Sequence, residues 1–91
     1  MTIAALSIAG ITYRLKEEQK SCYVMPEEKT LSYATTLGEC FRKCGKGNAG
    51  HVMYGREGTV ACPENQCECT CMFGICDSEH HDEFVDLYKR E

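Results

Sequence analysis

Gln66-Cys67-Glu68-Cys69-Thr70-Cys71-Met72-Phe73 sets three cysteines at every second position. Side chains alternate between the faces of a strand, so extended backbone here turns Cys67, Cys69 and Cys71 to one side. Upstream, Leu37, Cys40, Phe41 and Cys44 recur at i, i+3, i+4 and i+7. That spacing is one apolar face of a helix, and it carries two more thiols. A helix laid across the strand brings the two sets together, and disulfides need Cα atoms only roughly 4.4–6.8 Å apart. The simplest packing therefore ties helix to strand by at least one disulfide, with Leu37 and Phe41 filling the space beside it. The expected class is α+β.

The flanking sequence supplies the other elements. Thr36-Leu-Gly-Glu39 is a capping box: the Thr36 hydroxyl can accept from the Glu39 amide, and the Glu39 carboxylate can reach back. Arg42, Lys43 and Lys46 suit the negative end of the helix dipole. Gly45 and Gly47 are expected to end the helix by taking positive φ. Ile11, Tyr13 and Leu15 alternate with polar residues, which predicts a strand. Cys22-Tyr-Val24 extends it after a polar turn. Pro26 to Lys29 reads as a loop, Leu31 to Ala34 as a short strand, and His51 to Arg56 as another. Phe84, Val85, Leu87 and Tyr88 form a closing strand. Asp77 to Asp82 is expected to be a mobile acidic loop between two strands. No internal repeat interrupts the chain, so residues 1–91 form one domain.

Twenty residues are Ile, Leu, Val, Met or Phe, and there is no Trp. A core that thin supplies no more than roughly 3–5 kcal/mol by itself, so cross-links or a metal are expected. The eight cysteines are Cys22, Cys40, Cys44, Cys62, Cys67, Cys69, Cys71 and Cys76. An even count at this density points to disulfides formed in an oxidising compartment, and all eight are expected to be oxidised. Zinc is the competing explanation. Structural zinc sites favour paired Cys-x2–4-Cys knuckles, and Cys40-x3-Cys44 alone has that form. His80 and His81 are adjacent, so on extended backbone they diverge and cannot easily share one ion. No metal and no cofactor is expected.

Charge narrows the partners. The net charge of −4 resides in residues 77–91, which hold six acids and two bases. No basic stripe suits nucleic acid, and no apolar run approaches a membrane span of about 20 residues. Met1 to Ile11 is apolar but lacks the basic start of a signal peptide, so the chain reads as one module of a larger secreted protein. There is no nucleophile elbow or Gly-rich phosphate loop, so no catalytic residue is assigned. Tyr33, Tyr54, Tyr88 and Met53 are candidates for a recognition surface, since tyrosine is enriched at interfaces. The plainer reading, and the preferred one, is that Tyr33 and Tyr54 are half-buried sheet residues.

Two disulfide families share a helical Cys-x3-Cys bonded to a strand. Cys40/Cys44 with Cys67/Cys69 or Cys69/Cys71 resembles the cysteine-stabilised αβ fold of defensins and scorpion toxins. Those modules are shorter and basic, and lack a strand after the last cysteine. The order of elements is similar to that of the PAN/apple family across nearly the whole chain. The features that carry the resemblance are the strand Ile11–Lys16, the stretch Thr35-Thr-Leu-Gly-Glu-Cys-Phe-Arg-Lys-Cys44, the strand Val52-Met-Tyr54, Gln66-Cys67, and the ending Glu83-Phe-Val-Asp-Leu-Tyr88. The chain departs from the family at Gly50-His51-Val52, where PAN modules carry a cysteine that pairs with the second helical one. Cys44 is therefore expected to find a different partner. Cys62, Cys69 and Cys71 have no obvious counterpart in the family.

The resemblance implies a small disulfide-rich domain with one helix packed on a curved antiparallel sheet of about five strands. It implies that Cys40 bonds to Cys67 or Cys69. It also implies a non-enzymatic extracellular adhesion module that binds protein or carbohydrate ligands on a cell surface, with neighbouring modules in the same chain. Clotting-factor precursors, a hepatocyte growth factor and apicomplexan microneme adhesins carry such repeat modules, and a host-cell adhesin reached through a secretory organelle is one such setting. The ligand-binding residues are left unassigned, because PAN modules bind through different faces. A toxin or defensin-like secreted peptide and a zinc-binding cysteine-rich interaction domain are the alternatives.

Overall fold

A computed structural model describes residues 6–8, 11–76 and 78–91. The apolar stretch Met1–Ile11 therefore falls largely outside the described residues, as does Asp77. In chain order the strands are β1 (Leu6–Ile8), β2 (Ile11–Glu17), β3 (Lys20–Tyr23), β4 (Lys29–Ala34), β5 (His51–Gly55), β6 (Cys67–Met72), β7 (Ser78–His81) and β8 (Val85–Arg90). One α-helix, α1 (Leu37–Lys46), lies between β4 and β5, and Pro26–Glu28 forms a turn of 3-10 helix. No described helix is long and apolar enough to cross a membrane.

The α+β expectation holds, with a larger sheet than predicted. Six strands pair in the order β1-β2-β8-β5-β6-β4, every pair antiparallel, and β3 and β7 form a separate two-stranded ribbon. The cysteine-bearing strand β6 sits between β4 and β5, where Cys69 faces Ser32 on one side and Tyr54 on the other. Both neighbours come from polar or mixed sequence, so β6 alone contributes the tightly alternating thiols.

The pleat sorts the core into two layers. On the helix side, Tyr13, Ala34, Cys40, Phe41, Cys44, Ala49, Val52, Cys69 and Cys71 pack together, with Leu37, Tyr54 and Tyr88 against them. Phe41 stacks on Tyr13 and meets Tyr88 edge-on, each with ring centroids 5.1 Å apart. On the opposite side, Met72 and Leu87 pack with Cys22 and Val24 of the ribbon and the residues that follow it. The two layers follow from alternation: Cys71 and Met72 are neighbours in sequence and face opposite ways.

The helix begins as expected. The Thr36 hydroxyl accepts from the Glu39 amide at 3.1 Å. The return half of the box shifts by one residue, because the Glu39 carboxylate accepts from the backbone N–H and hydroxyl of Thr35, both at 2.9 Å. Those two donors, the backbone N–H first, hold the Glu39 carboxyl below its ordinary range. The helix ends differently from the prediction. Gly45 lies buried within it, and Gly47 has φ −99°, while Asn48 takes the left-handed conformation at φ 60°. Asparagine tolerates that region better than most side-chain-bearing residues. Gly47 packs close to Phe73 instead: a Cβ there would lie 2.8 Å from the far end of that ring.

Two loops expected from sequence are ordered otherwise. Pro26–Glu28 is helical, and residues 78–81 form β7 rather than a mobile loop. All four β7 side chains are exposed, so the strand has no apolar alternation to announce it. It is held by register with β3, His80 opposite Ser21 and Cys22 opposite Glu79, and by an ion pair from Lys16 to Glu79. His80 and His81 are successive strand residues, which keeps them divergent as the sequence implied.

Candidate functional site

All eight cysteines are paired: Cys22–Cys76, Cys40–Cys69, Cys44–Cys71 and Cys62–Cys67. The helix is thus tied to β6 by two parallel cross-links, one helical turn apart on α1 and two residues apart on β6. Both halves of that match follow from backbone periodicity. Cys40 takes Cys69, one of its two expected partners, and Cys44 takes Cys71. Cys67 does not reach the helix. It closes a short loop with Cys62, five residues earlier.

That short loop builds one wall of an open cleft of about 850 Å³ at one end of the sheet. Thr35, Thr36 and Leu37 at the start of α1 form a second wall, and Arg56 to Gly58 after β5 form a third. Tyr54 and Tyr88 line its inner side. The loop is brought close by Gly55: a Cβ there would stand 2.6 Å from the Ala61 carbonyl oxygen. The same carbonyl accepts from the Glu68 amide at 2.7 Å, so the loop is anchored on both β5 and β6.

Charge inside the cleft is partly neutralised. The Arg56 guanidinium donates to Asp86 at 2.5 Å, and the same carboxylate oxygen accepts from the backbone N–H of Gln19 at 2.9 Å. Both side chains are largely covered, so this pair is better placed than an ordinary surface bridge. Glu57 and Glu64 add acidic character, while Asn65, Gln66 and the two threonines offer neutral donors and acceptors. Burial pushes the Tyr88 hydroxyl up to about 12, with Asp86 and Glu18 adding to it. Burial, then Glu39 and Glu57, raise Tyr54 as well. Both phenols are therefore neutral hydrogen-bonding groups at physiological pH, and Tyr54 donates to the Ala34 carbonyl at 3.3 Å.

The four residues expected as a recognition surface are divided by the sheet. Tyr54 and Tyr88 belong to the helix-side layer and the cleft. Met53 packs on the ribbon side, where its sulfur accepts from the Ser21 hydroxyl at 2.9 Å. Tyr33 lies opposite Glu68 on β4, one residue out of phase with the Ser32–Cys69 pair, so it faces away from the helix. Nothing in the sequence marks Arg56, Asp86, Asn65 and Gln66 as a binding surface, although Gln66 and Asp86 fall in the stretches that resemble the PAN/apple pattern. They come from three separate segments, and only the antiparallel pairing of β5 with β8 and the Cys62–Cys67 clamp brings them together. Comparison of the chain with models of known families, with curated proteins and with solved structures gave no match.

Proposed function

We propose that this chain is a non-enzymatic extracellular binding module of the PAN/apple type, and that the cleft receives its protein or carbohydrate ligand. The observation that carries this reading is the cleft itself. It is concave, lined by hydroxyls, amides, two neutral phenols and a covered ion pair, and walled by a loop that a disulfide holds rigid. Such a surface offers orienting hydrogen bonds without large ordering costs. Four disulfides in so small a chain are typical of extracellular proteins, which supports an extracellular setting.

A specific observation favours this reading over the toxin-like alternative. The last strand, β8, pairs with both β2 and β5 inside the sheet, whereas cysteine-stabilised αβ modules lack a strand after the last cysteine. The zinc-binding alternative finds no free thiol to use in the oxidised protein.

The test is binding of the labelled, oxidised protein to a glycan array and to cell surfaces read by flow cytometry. Wild-type protein is expected to bind at least one of the two. Asn65→Ala with Gln66→Ala should lower that binding about tenfold or more, and Leu31→Ser on the far side of the sheet should leave it unchanged. Absence of binding in both formats, or binding indifferent to the cleft variant, would refute the assignment.

A further inference from the structure

The two cross-links that join α1 to β6 are themselves in contact. The Cys44 and Cys69 sulfurs, which belong to different disulfides, are 3.8 Å apart. Cys40, Cys44 and Cys69 present their sulfurs within 4.8 Å of one another, and Cys71 is bonded to Cys44. Three sulfurs thus lie together, two from a helical i, i+4 pair and one from the strand, and the fourth, on Cys71 two residues along the strand, is held beside them by its bond to Cys44. A tetrahedral thiolate site with metal–sulfur bonds of about 2.3 Å places its sulfurs about 3.8 Å apart. One of the required separations already exists. Each bonded pair would open from about 2.0 Å to the same value once its disulfide is reduced.

We propose that reduction of these two disulfides converts the cluster into a tetrathiolate site for one thiophilic divalent cation, zinc or its analogues cobalt and cadmium. Cys40, Cys44, Cys69 and Cys71 are the ligands. The balance is complete with a phosphine as reductant: each disulfide takes two electrons and two protons, the phosphine leaves as its oxide, and water supplies the oxygen. Four thiols result, and coordination of the cation releases up to four protons. Helix and strand then remain joined through the metal instead of through sulfur–sulfur bonds. The surrounding layer suits such a site. Phe41, Ala49 and Val52 are fully or almost fully buried against the sulfurs, and a dry shell slows ligand loss and oxidation. The other four cysteines do not offer this arrangement, because Cys22–Cys76 lies in the opposite layer and Cys62–Cys67 closes its own loop.

Cobalt reports the geometry. The full-length chain is reduced with a phosphine under anaerobic conditions and titrated with Co2+. One equivalent is expected to give the intense visible absorption of tetrahedral cobalt thiolate, together with a gain of helical circular dichroism. A variant carrying Cys22→Ser, Cys62→Ser, Cys67→Ser and Cys76→Ser should bind the same equivalent with the same spectrum. The reciprocal variant, Cys40→Ser, Cys44→Ser, Cys69→Ser and Cys71→Ser, should bind at least about 100-fold more weakly. Failure of the first variant to take up cobalt stoichiometrically, or equal uptake by the two variants, would overturn the proposal.

Discussion

The Tyr13 hydroxyl donates to the Ala49 carbonyl at 2.6 Å, and both groups are fully buried. Removing the donor with Tyr13→Phe leaves that carbonyl unpaired beside the end of the helix. The expected cost is about 1–3 kcal/mol in urea unfolding. Glycines at two positions separate two kinds of crowding. A methyl group at Gly47 meets the far end of the half-exposed Phe73 side chain, which can swing aside. A methyl group at Gly55 meets the backbone oxygen of Ala61. Gly47→Ala should therefore cost less than about 1 kcal/mol and Gly55→Ala about 1–3 kcal/mol, and only the latter should disturb the cleft. Tyr88 gives the alkaline limit. Its phenol stays protonated in the folded chain until about pH 12, whereas it ionises near pH 10 when unfolded. Between those values the native state holds the extra proton, so stability is full below pH 10 and falls as pH rises toward 12. The loss is on the order of 1 kcal/mol, because the group is only partly shielded from solvent. Tyr88→Phe should flatten that part of the pH–stability curve.

Among the elements, α1 and β6 are legible in the sequence, because each has an unambiguous period that its cysteines mark. The capping residue Thr36 and the apolar face of α1 followed from the same few positions. The Cys40–Cys69 pairing was narrowed to two choices by family resemblance rather than by spacing. The β3–β7 ribbon was not readable. Ser78-Glu-His-His81 has neither alternation nor β-branched residues, and it forms a strand because Cys22–Cys76 and the Lys16–Glu79 pair bring it beside β3. The cleft was hidden for a related reason: its residues share no segment, and its shape depends on Gly55 and a five-residue disulfide loop. These roles divide the cross-links. Replacing Cys40 and Cys69 by Ala should loosen α1 and cost roughly 2–5 kcal/mol. The same change at Cys22 and Cys76 should speed amide exchange in β3 and β7 while α1 stays protected.

Over the whole molecule, covalent staples replace the apolar volume that the sequence lacks. A loop of about 30 residues closed by Cys40–Cys69 contributes about 3.6 kcal/mol in the chain-entropy model, comparable to what the core supplies. Reductant without added metal should therefore unfold the domain, whereas EDTA should leave the melting temperature of the oxidised protein unchanged. Two layers packed on one sheet also explain how so few large apolar residues suffice, since β5, β6 and β8 bury both faces. The decisive measurement is a disulfide map of the purified, never-reduced protein, using partial reduction and stepwise alkylation to separate Cys67, Cys69 and Cys71. It should return Cys40–Cys69 and Cys44–Cys71, with Cys22–Cys76 and Cys62–Cys67. A map in which neither helical cysteine bonds within residues 67–71, or in which free thiols remain in the folded protein, would contradict the fold and the binding module built on it.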